Sequence, residues 1–191
     1  MKVVGYHGTC VSAAQGILAN GFRTVGPKML AGPGAYLWAG SGALRVKALL
    51  LCETWHTQRK AEGAYDGEKD QRLAIVRYEA EVAFENLVDL EQMLHHEQLA
   101  ALNQFATRNG ISFKDAPALY TAYISKVRKE RGTAAPPRPP VLVVRLTLPP
   151  PDPYRTHPQR ALGLTAGVDA YMLLQQPGGK VPVGAVSLVQ L

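Results

Sequence analysis

Cysteine, aromatic residues and long apolar runs are all scarce in this chain. Two cysteines, Cys10 and Cys52, occur in 191 residues, which excludes the disulfide framework of a small secreted domain. Both sit in apolar surroundings and read as small buried hydrophobes. No stretch approaches the about 18 apolar residues that a membrane span needs, so no membrane partner is expected. The start, Met1-Lys2-Val3-Val4-Gly5-Tyr6-His7, lacks the design of a signal peptide: its apolar run is too short and a strand pattern begins almost at once. These absences predict a soluble chain in a reducing, cytoplasmic compartment. Delivery into another cell by a route without a cleaved signal is equally compatible with them.

Several chemistries are missing as well. There is no Gly-x-Gly-x-x-Gly after a strand, no phosphate-binding P-loop and no Gly-x-Ser-x-Gly, so hydride transfer, ATP hydrolysis and serine hydrolysis lack support. Histidine number five, and none suggests a metal site. His95 and His96 are adjacent on a predicted helix, where neighbours point about 100° apart and cannot chelate together. His56 stands alone, and His157 lies in a proline-rich loop.

What remains is an ordinary globular composition, 47% hydrophobic and 19% charged. The length predicts one domain over residues 1–191, able to bury roughly 70% of its unfolded surface without a metal or disulfide. The net charge of +6 favours acidic partners, such as nucleic acid or the phosphates of a dinucleotide. The densest basic run, Lys126-Val127-Arg128-Lys129-Glu130-Arg131, reads as a solvated helix face.

Periodicity predicts a strand over 3–7, then a helix from Val11 to Asn20 with Val11, Ala14, Ile17 and Leu18 on one face. Ser12 is a candidate cap, and Asn20-Gly21 a stop with glycine at positive φ. A short strand follows at 35–39. The next helix spans 41–61, with Leu44, Ala48, Leu51, Cys52 and Trp55 on its apolar face. Residues 62–72 read as an exposed loop and 73–82 as a strand. Residues 86–90 lead into a helix over 91–108, and another helix covers 116–131. These two form a helical insert at about residues 90–132. A proline-rich linker (134–140) enters a strand at 141–148, and a second proline-rich loop covers 149–158. Residues 170–175 and 183–191 read as a closing hairpin around Gln176-Pro177-Gly178-Gly179-Lys180. The mixture predicts an α+β domain with a strongly twisted, mostly antiparallel sheet.

Two segments carry the chemistry. Gly5-Tyr6-His7-Gly8-Thr9 and Gly32-Pro33-Gly34-Ala35-Tyr36-Leu37-Trp38 each place one polar or aromatic side chain on a short strand beside small residues. An imidazole can bond a ribose hydroxyl, a phenol ring can stack on a planar amide ring, and glycine lets backbone approach a ligand. Trp38 and Trp55 read mainly as core. Ser41 reads as a helix cap or as a ligand contact at a helix start.

In this order the segments resemble the NAD-binding half of ADP-ribosyltransferases of the diphtheria-toxin and poly(ADP-ribose) polymerase class. That family has a histidine on its first strand, often as His-Gly-Thr, and a tyrosine entered through Gly-x-Gly-x-Tyr. An acidic residue or glutamine follows on a late strand. His7, with Gly8 and Thr9, matches the first position. Ile17, Gly21 and Phe22 match the family's isoleucine and Gly-Phe after the first helix. Tyr36, preceded by Gly32 and Gly34, matches the second position, and Ala43 and Ala48 match the small residues of the next helix. The resemblance covers the two ends of the chain and implies a twisted, split, mostly antiparallel sheet with flanking helices. It implies NAD as the substrate, with His7, Gly8, Thr9, Gly34, Tyr36 and Ser41 as binding residues and His7, Tyr36 and Asp169 as catalytic ones. By this reading His7 bonds the adenosine ribose, Gly8 backbone takes the carboxamide, and Tyr36 stacks on nicotinamide.

The late acid departs from the pattern. In the polymerases a glutamate directly precedes the aromatic residue of that strand; here Ala170 precedes Tyr171. Asp169 is one residue earlier, on the other face by alternation, unless a bulge restores it. Gln175, Gln176, Glu79 and Glu81 are the further candidates.

The resemblance implies a mono-ADP-ribosyltransferase that modifies a protein or nucleic acid, with no metal. A toxin or defence effector fits, and would bring an antitoxin or immunity protein as partner. The alternatives are an NAD glycohydrolase, or an inactive module that binds NAD or ADP-ribose. RNA 2′-phosphotransferases share the early His-Gly-Thr but use histidine at the second position, so Tyr36 argues against them.

Overall fold

A computed structural model describes residues 1–23, 34–112, 116–148, 151, 168–174, 176, 181 and 184–190. In chain order the elements are β1 (Lys2–Cys10), α1 (Val11–Asn20), β2 (Ala35–Ala39), α2 (Leu44–Ala61), β3 (Leu73–Glu81), a 3-10 turn at Phe84–Asn86, β4 (Leu87–Asp89), α3 (Met93–Arg108), α4 (Ala116–Thr133), β5 (Val143–Leu148), β6 (Val168–Leu173) and β7 (Ala185–Leu188). The strands form one seven-stranded sheet in the order β4-β5-β6-β2-β1-β3-β7. Only β4 and β5 pair in parallel; the other neighbours are antiparallel. The molecule is therefore an α+β protein with a mixed sheet.

β1 is an interior strand, between β2 and β3, and its sequence explains why. Val3, Val4, Tyr6 and Cys10 are all buried, so it is apolar on both faces, as a strand covered on both sides must be. Alternation sends Val4, Tyr6 and, on neighbouring strands, Trp38, Ala170 and Met172 into a core covered by α2, α3 and α4. Val3, Leu37, Val76, Tyr78 and Leu173 face the other way, against α1 and Phe22.

β1 is unequally paired. With β3 it is in register at nine positions, from Lys2 opposite Glu81 to Cys10 opposite Leu73. With β2 it is in register at two, Gly5 opposite Ala39 and Tyr6 opposite Trp38. Past Tyr6 the two strands part.

Gly8 is where α2 meets the sheet. A Cβ there would lie 2.3 Å from the carbonyl oxygen of Cys52 and 2.7 Å from its Cα. The helix backbone sits directly on the strand, and Ala48, Leu51 and Cys52 are fully buried around it.

Several expectations from sequence need correction. Residues 170–175 and 183–191 do not form a hairpin. β6 has both edges occupied, by β2 and β5, while β7 pairs with β3 on the far side of the sheet. A Gly-Pro-rich turn shows where the chain reverses but not which strand has a free edge. β4 was not expected; its three residues are too short for periodicity to register. β1 extends to Cys10 rather than ending at His7. α2 begins at Leu44, after a turn in which Gly42 has φ +56°, and Leu44 is exposed. Ser12 does not cap α1: Cys10 holds the cap position, and the Ser12 hydroxyl instead accepts a bond from the Asp70 amide at 2.9 Å. Gly21 ends α1 at φ +76°, as expected, with its N–H bonded to the Ile17 carbonyl.

Gly8→Ala should therefore cost about 3 kcal/mol, the upper end for overpacking, because helix backbone cannot yield as a flexible side chain does. Urea unfolding should show a lower midpoint at an unchanged slope.

Candidate functional site

The seam between β1 and β2 gathers the first group of expected site residues. His7 is half-buried just past the last paired position. Its Nδ1 lies 2.9 Å from the backbone carbonyl oxygen of Tyr36. A carbonyl can only accept, so Nδ1 carries the proton and Nε2 presents a lone pair. Burial pushes the imidazole below its ordinary value, against the smaller opposing effect of the Tyr36 carbonyl. The ring is thus a neutral acceptor at Nε2. Phe22 fixes its plane edge-on, at 5.5 Å and 87°, and packs in turn against Tyr78.

Gly8 lies beside it with its backbone aimed at the seam. The Gly40 N–H bonds the Val4 carbonyl from the β2 side, and the polar groups of alternate strand residues point the same way. The N–H and C=O of Gly8 therefore point toward β2 where the ladder has no paired position. Tyr36 stands half-buried on β2 opposite Met172. Its ring belongs to the face of Trp38 and Ala170, whereas the His7 ring belongs to that of Phe22. The two side chains flank the seam from opposite faces, joined through the Tyr36 carbonyl.

A cavity of about 350 Å³ opens on the His7 side, lined by His7, Thr9, Ile17, Phe22, Arg23 and Glu68 among others. That volume is at the small end for ligand sites. Thr9 is 5% exposed, and Tyr65 is 9% exposed. Tyr65 stacks on His56 at 5.2 Å, and His56 Nε2 donates to the Gln71 carbonyl at 2.9 Å.

Other expected residues lie elsewhere. Gly34 is a close-approach position for β6: a Cβ would lie 2.4 Å from Met172 Cγ. Ser41 is exposed in the turn before α2, with its carbonyl accepting the Leu44 N–H. Ala43 is exposed, while Ala48 is fully buried. Gly32 and Gln175 lie outside the described residues, as does His157.

Asp169 is not brought to the face of Tyr36. The β5–β6 register runs unbroken from Leu148 opposite Val168 to Val143 opposite Leu173. The bulge that would turn Asp169 over is not formed. Ala170 fills the slot, fully buried between Trp38 and Leu146. The Asp169 carboxylate accepts instead from Arg145 at 3.2 Å, and Arg145 also holds Asp89 at 3.1 Å. Gln176 donates to the carbonyls of Val141 and Leu174. Glu79 is paired with Lys2 and Arg77, which hold its carboxyl below the usual range. Glu81 sits 3.9 Å from the N-terminal ammonium.

Glu68, Arg23 and Tyr65 were missed by sequence reasoning. Glu68 belongs to a polar run that reads as solvated loop, and no spacing ties it to His7. Among the described residues, no group of three His, Cys, Asp or Glu could hold a metal ion, and no helix is long and apolar enough to cross a membrane.

Neutral His7 has a consequence for pH. Its folded value lies below the 6.5 of the free group, so between the two the unfolded chain binds a proton that the folded chain does not. The stability it contributes is complete above pH 6.5 and is lost as pH falls through that window. The difference in urea midpoint between wild type and His7→Gln should narrow from pH 7.5 to pH 5.5. A gap that widens on acidification would mean that the folded imidazole is charged.

Compared with known proteins, the chain matches no family model, no curated protein and no solved structure.

Proposed function

We propose that this chain is an NAD-dependent mono-ADP-ribosyltransferase acting on a macromolecule, with its site at the β1–β2 seam. One observation carries this reading: a neutral imidazole, held by the Tyr36 carbonyl, sits beside Gly8 where the sheet opens. Nε2 of His7 accepts from a ribose hydroxyl. A primary carboxamide offers one acceptor and two donors, which the N–H and C=O of Gly8 complement. A nicotinamide ring lodged in the seam then stacks on Tyr36, and the ribose bonded to it enters the cavity toward Phe22. Arg23, at the cavity wall, faces the diphosphate. The resemblance to ADP-ribosyltransferases implies a mostly antiparallel sheet as well, and all neighbours here but β4 and β5 are antiparallel.

In the reaction the bond between nicotinamide nitrogen and ribose breaks, and its electron pair goes to the ring. The ribose carbon becomes oxocarbenium-like and is captured by the acceptor. Positioning supplies much of the rate. The acceptor is protein or nucleic acid, with the net charge of +6 leaning toward the latter; water as acceptor would make the chain a glycohydrolase.

A second reading, a module that binds NAD or ADP-ribose without turnover, has one observation in its favour. Ala170 leaves the face shared with Tyr36 without a carboxylate on β6.

Nicotinamide release from NAD, measured with and without added protein, RNA and DNA, separates the readings. Release should fall roughly 10²-fold in His7→Ala and in Tyr36→Ala, the scale of losing one transition-state contact. The additive that accelerates release names the acceptor class. NAD binding without release under any condition selects the binding module.

A further inference from the structure

We infer that Glu68, in the turn between α2 and β3, supplies the carboxylate of this site in place of a residue on β6. The inference rests on the transferase reading above. Of the described residues lining the His7 cavity, Glu68 is the one carboxylate. It enters from the opposite side to β6, at a position that no sequence pattern marks.

The turn is exposed at Glu68 yet anchored on both sides of it. On one side, Tyr65 is 9% exposed and stacked on His56. The Glu68 N–H donates to the Tyr65 carbonyl at 2.9 Å. On the other side, the Asp70 amide donates to Ser12 Oγ at 2.9 Å, the Ser12 amide to the Asp70 carbonyl at 3.3 Å, and the Val11 amide to the Arg72 carbonyl at 3.0 Å. Those partners are the first turn of α1, which lines the His7 cavity through Ser12 and Ala13. The backbone of Glu68 is thus fixed relative to the imidazole.

Its charge is also uncommitted. Nearby Glu62 is paired with Arg59, and Asp70 with Arg72. Asp169 and Glu79 are paired with Arg145 and with Lys2 and Arg77. Glu68 forms no ion pair among the described residues. A carboxylate facing a ribose that becomes cationic as nicotinamide leaves stabilises that charge where it develops. It also accepts the proton that the acceptor's hydroxyl, amine or water sheds as its lone pair bonds to the ribose carbon. The balance is NAD plus acceptor–H giving ADP-ribosyl–acceptor, nicotinamide and one proton.

The test uses the full chain as wild type, Glu68→Gln, Glu68→Asp, Asp66→Asn, Asp169→Asn and His7→Ala. NAD affinity is measured by calorimetry and nicotinamide release by steady-state kinetics. Glu68→Gln should lower kcat roughly 10²-fold while the Kd for NAD moves less than about threefold. Glu68→Asp should recover part of the rate. Asp66→Asn, on the same turn, should match wild type. Unimpaired release in Glu68→Gln with loss in His7→Ala overturns the assignment and leaves the transferase reading intact. Unimpaired release in Glu68→Gln with loss in Asp169→Asn returns the acid to β6. A wild type that binds NAD without releasing nicotinamide, or does not bind it, overturns both this assignment and the transferase reading.

Discussion

Two paired positions, Gly5 with Ala39 and Tyr6 with Trp38, join the halves of this sheet. On one side β1 and β3 are in register along all of β1. On the other, β2, β5 and β6 form a continuous ladder. Between them the backbone opens after Tyr6, and buried backbone polar groups left unpaired are costly. One is met by a side chain: the imidazole of His7 bonds the Tyr36 carbonyl. That contact satisfies the carbonyl, sets the proton on Nδ1 and leaves Nε2 as an acceptor. The polar character of the seam and the form of its histidine are one fact.

The same strand serves packing and site at consecutive residues. Tyr6 faces α2, His7 faces Phe22, and Gly8 lets Cys52 of α2 rest on the strand. Glycine at this position has a packing cause independent of any ligand. Its backbone direction, by contrast, follows from strand alternation and holds for any residue there. Gly8 is thus needed for the helix to seat, and among the described residues no paired position of β2 stands opposite it. The site depends on α2 being rigid, although the described lining of the His7 cavity includes no α2 residue.

How much was legible in the sequence follows from the range of each interaction. β2, α1 and β3 are within a residue or two of the periodicity, because each buries one stripe against a neighbour close in sequence. His7 and Tyr36 were legible because glycines flank them. The fates of the last two strands were not. Val168–Leu173 and Ala185–Leu188 look alike as apolar runs, yet they lie four strands apart in the sheet. Only the occupancy of distant edges separates them. β4 was hidden for a related reason: its partner, β5, lies more than fifty residues on, and a three-residue strand carries no period of its own. The placing of Glu68 at the cavity was hidden because it is set by bonds made by Tyr65, Asp70 and Arg72, and its own neighbours in sequence read as solvated.

Charge placement explains why a carboxylate is unsuited to the slot of Ala170. That residue is fully buried between Trp38 and Leu146, with Met172 beyond it. A carboxylate there would lose its hydration, at a cost of several kcal/mol unless a cation and further hydrogen bonds met it. The nearest guanidinium on β5, Arg145, already holds Asp89 and Asp169, and it stands opposite Tyr171 on the other face. Alternation thus sets the two faces of β6 apart: an apolar one that carries Ala170, and a paired one that carries Asp169. Neither offers an unpaired negative charge to the seam. A charge acting there is least costly where water still reaches it, and an exposed turn held by hydrogen bonds to the first turn of α1 meets that condition.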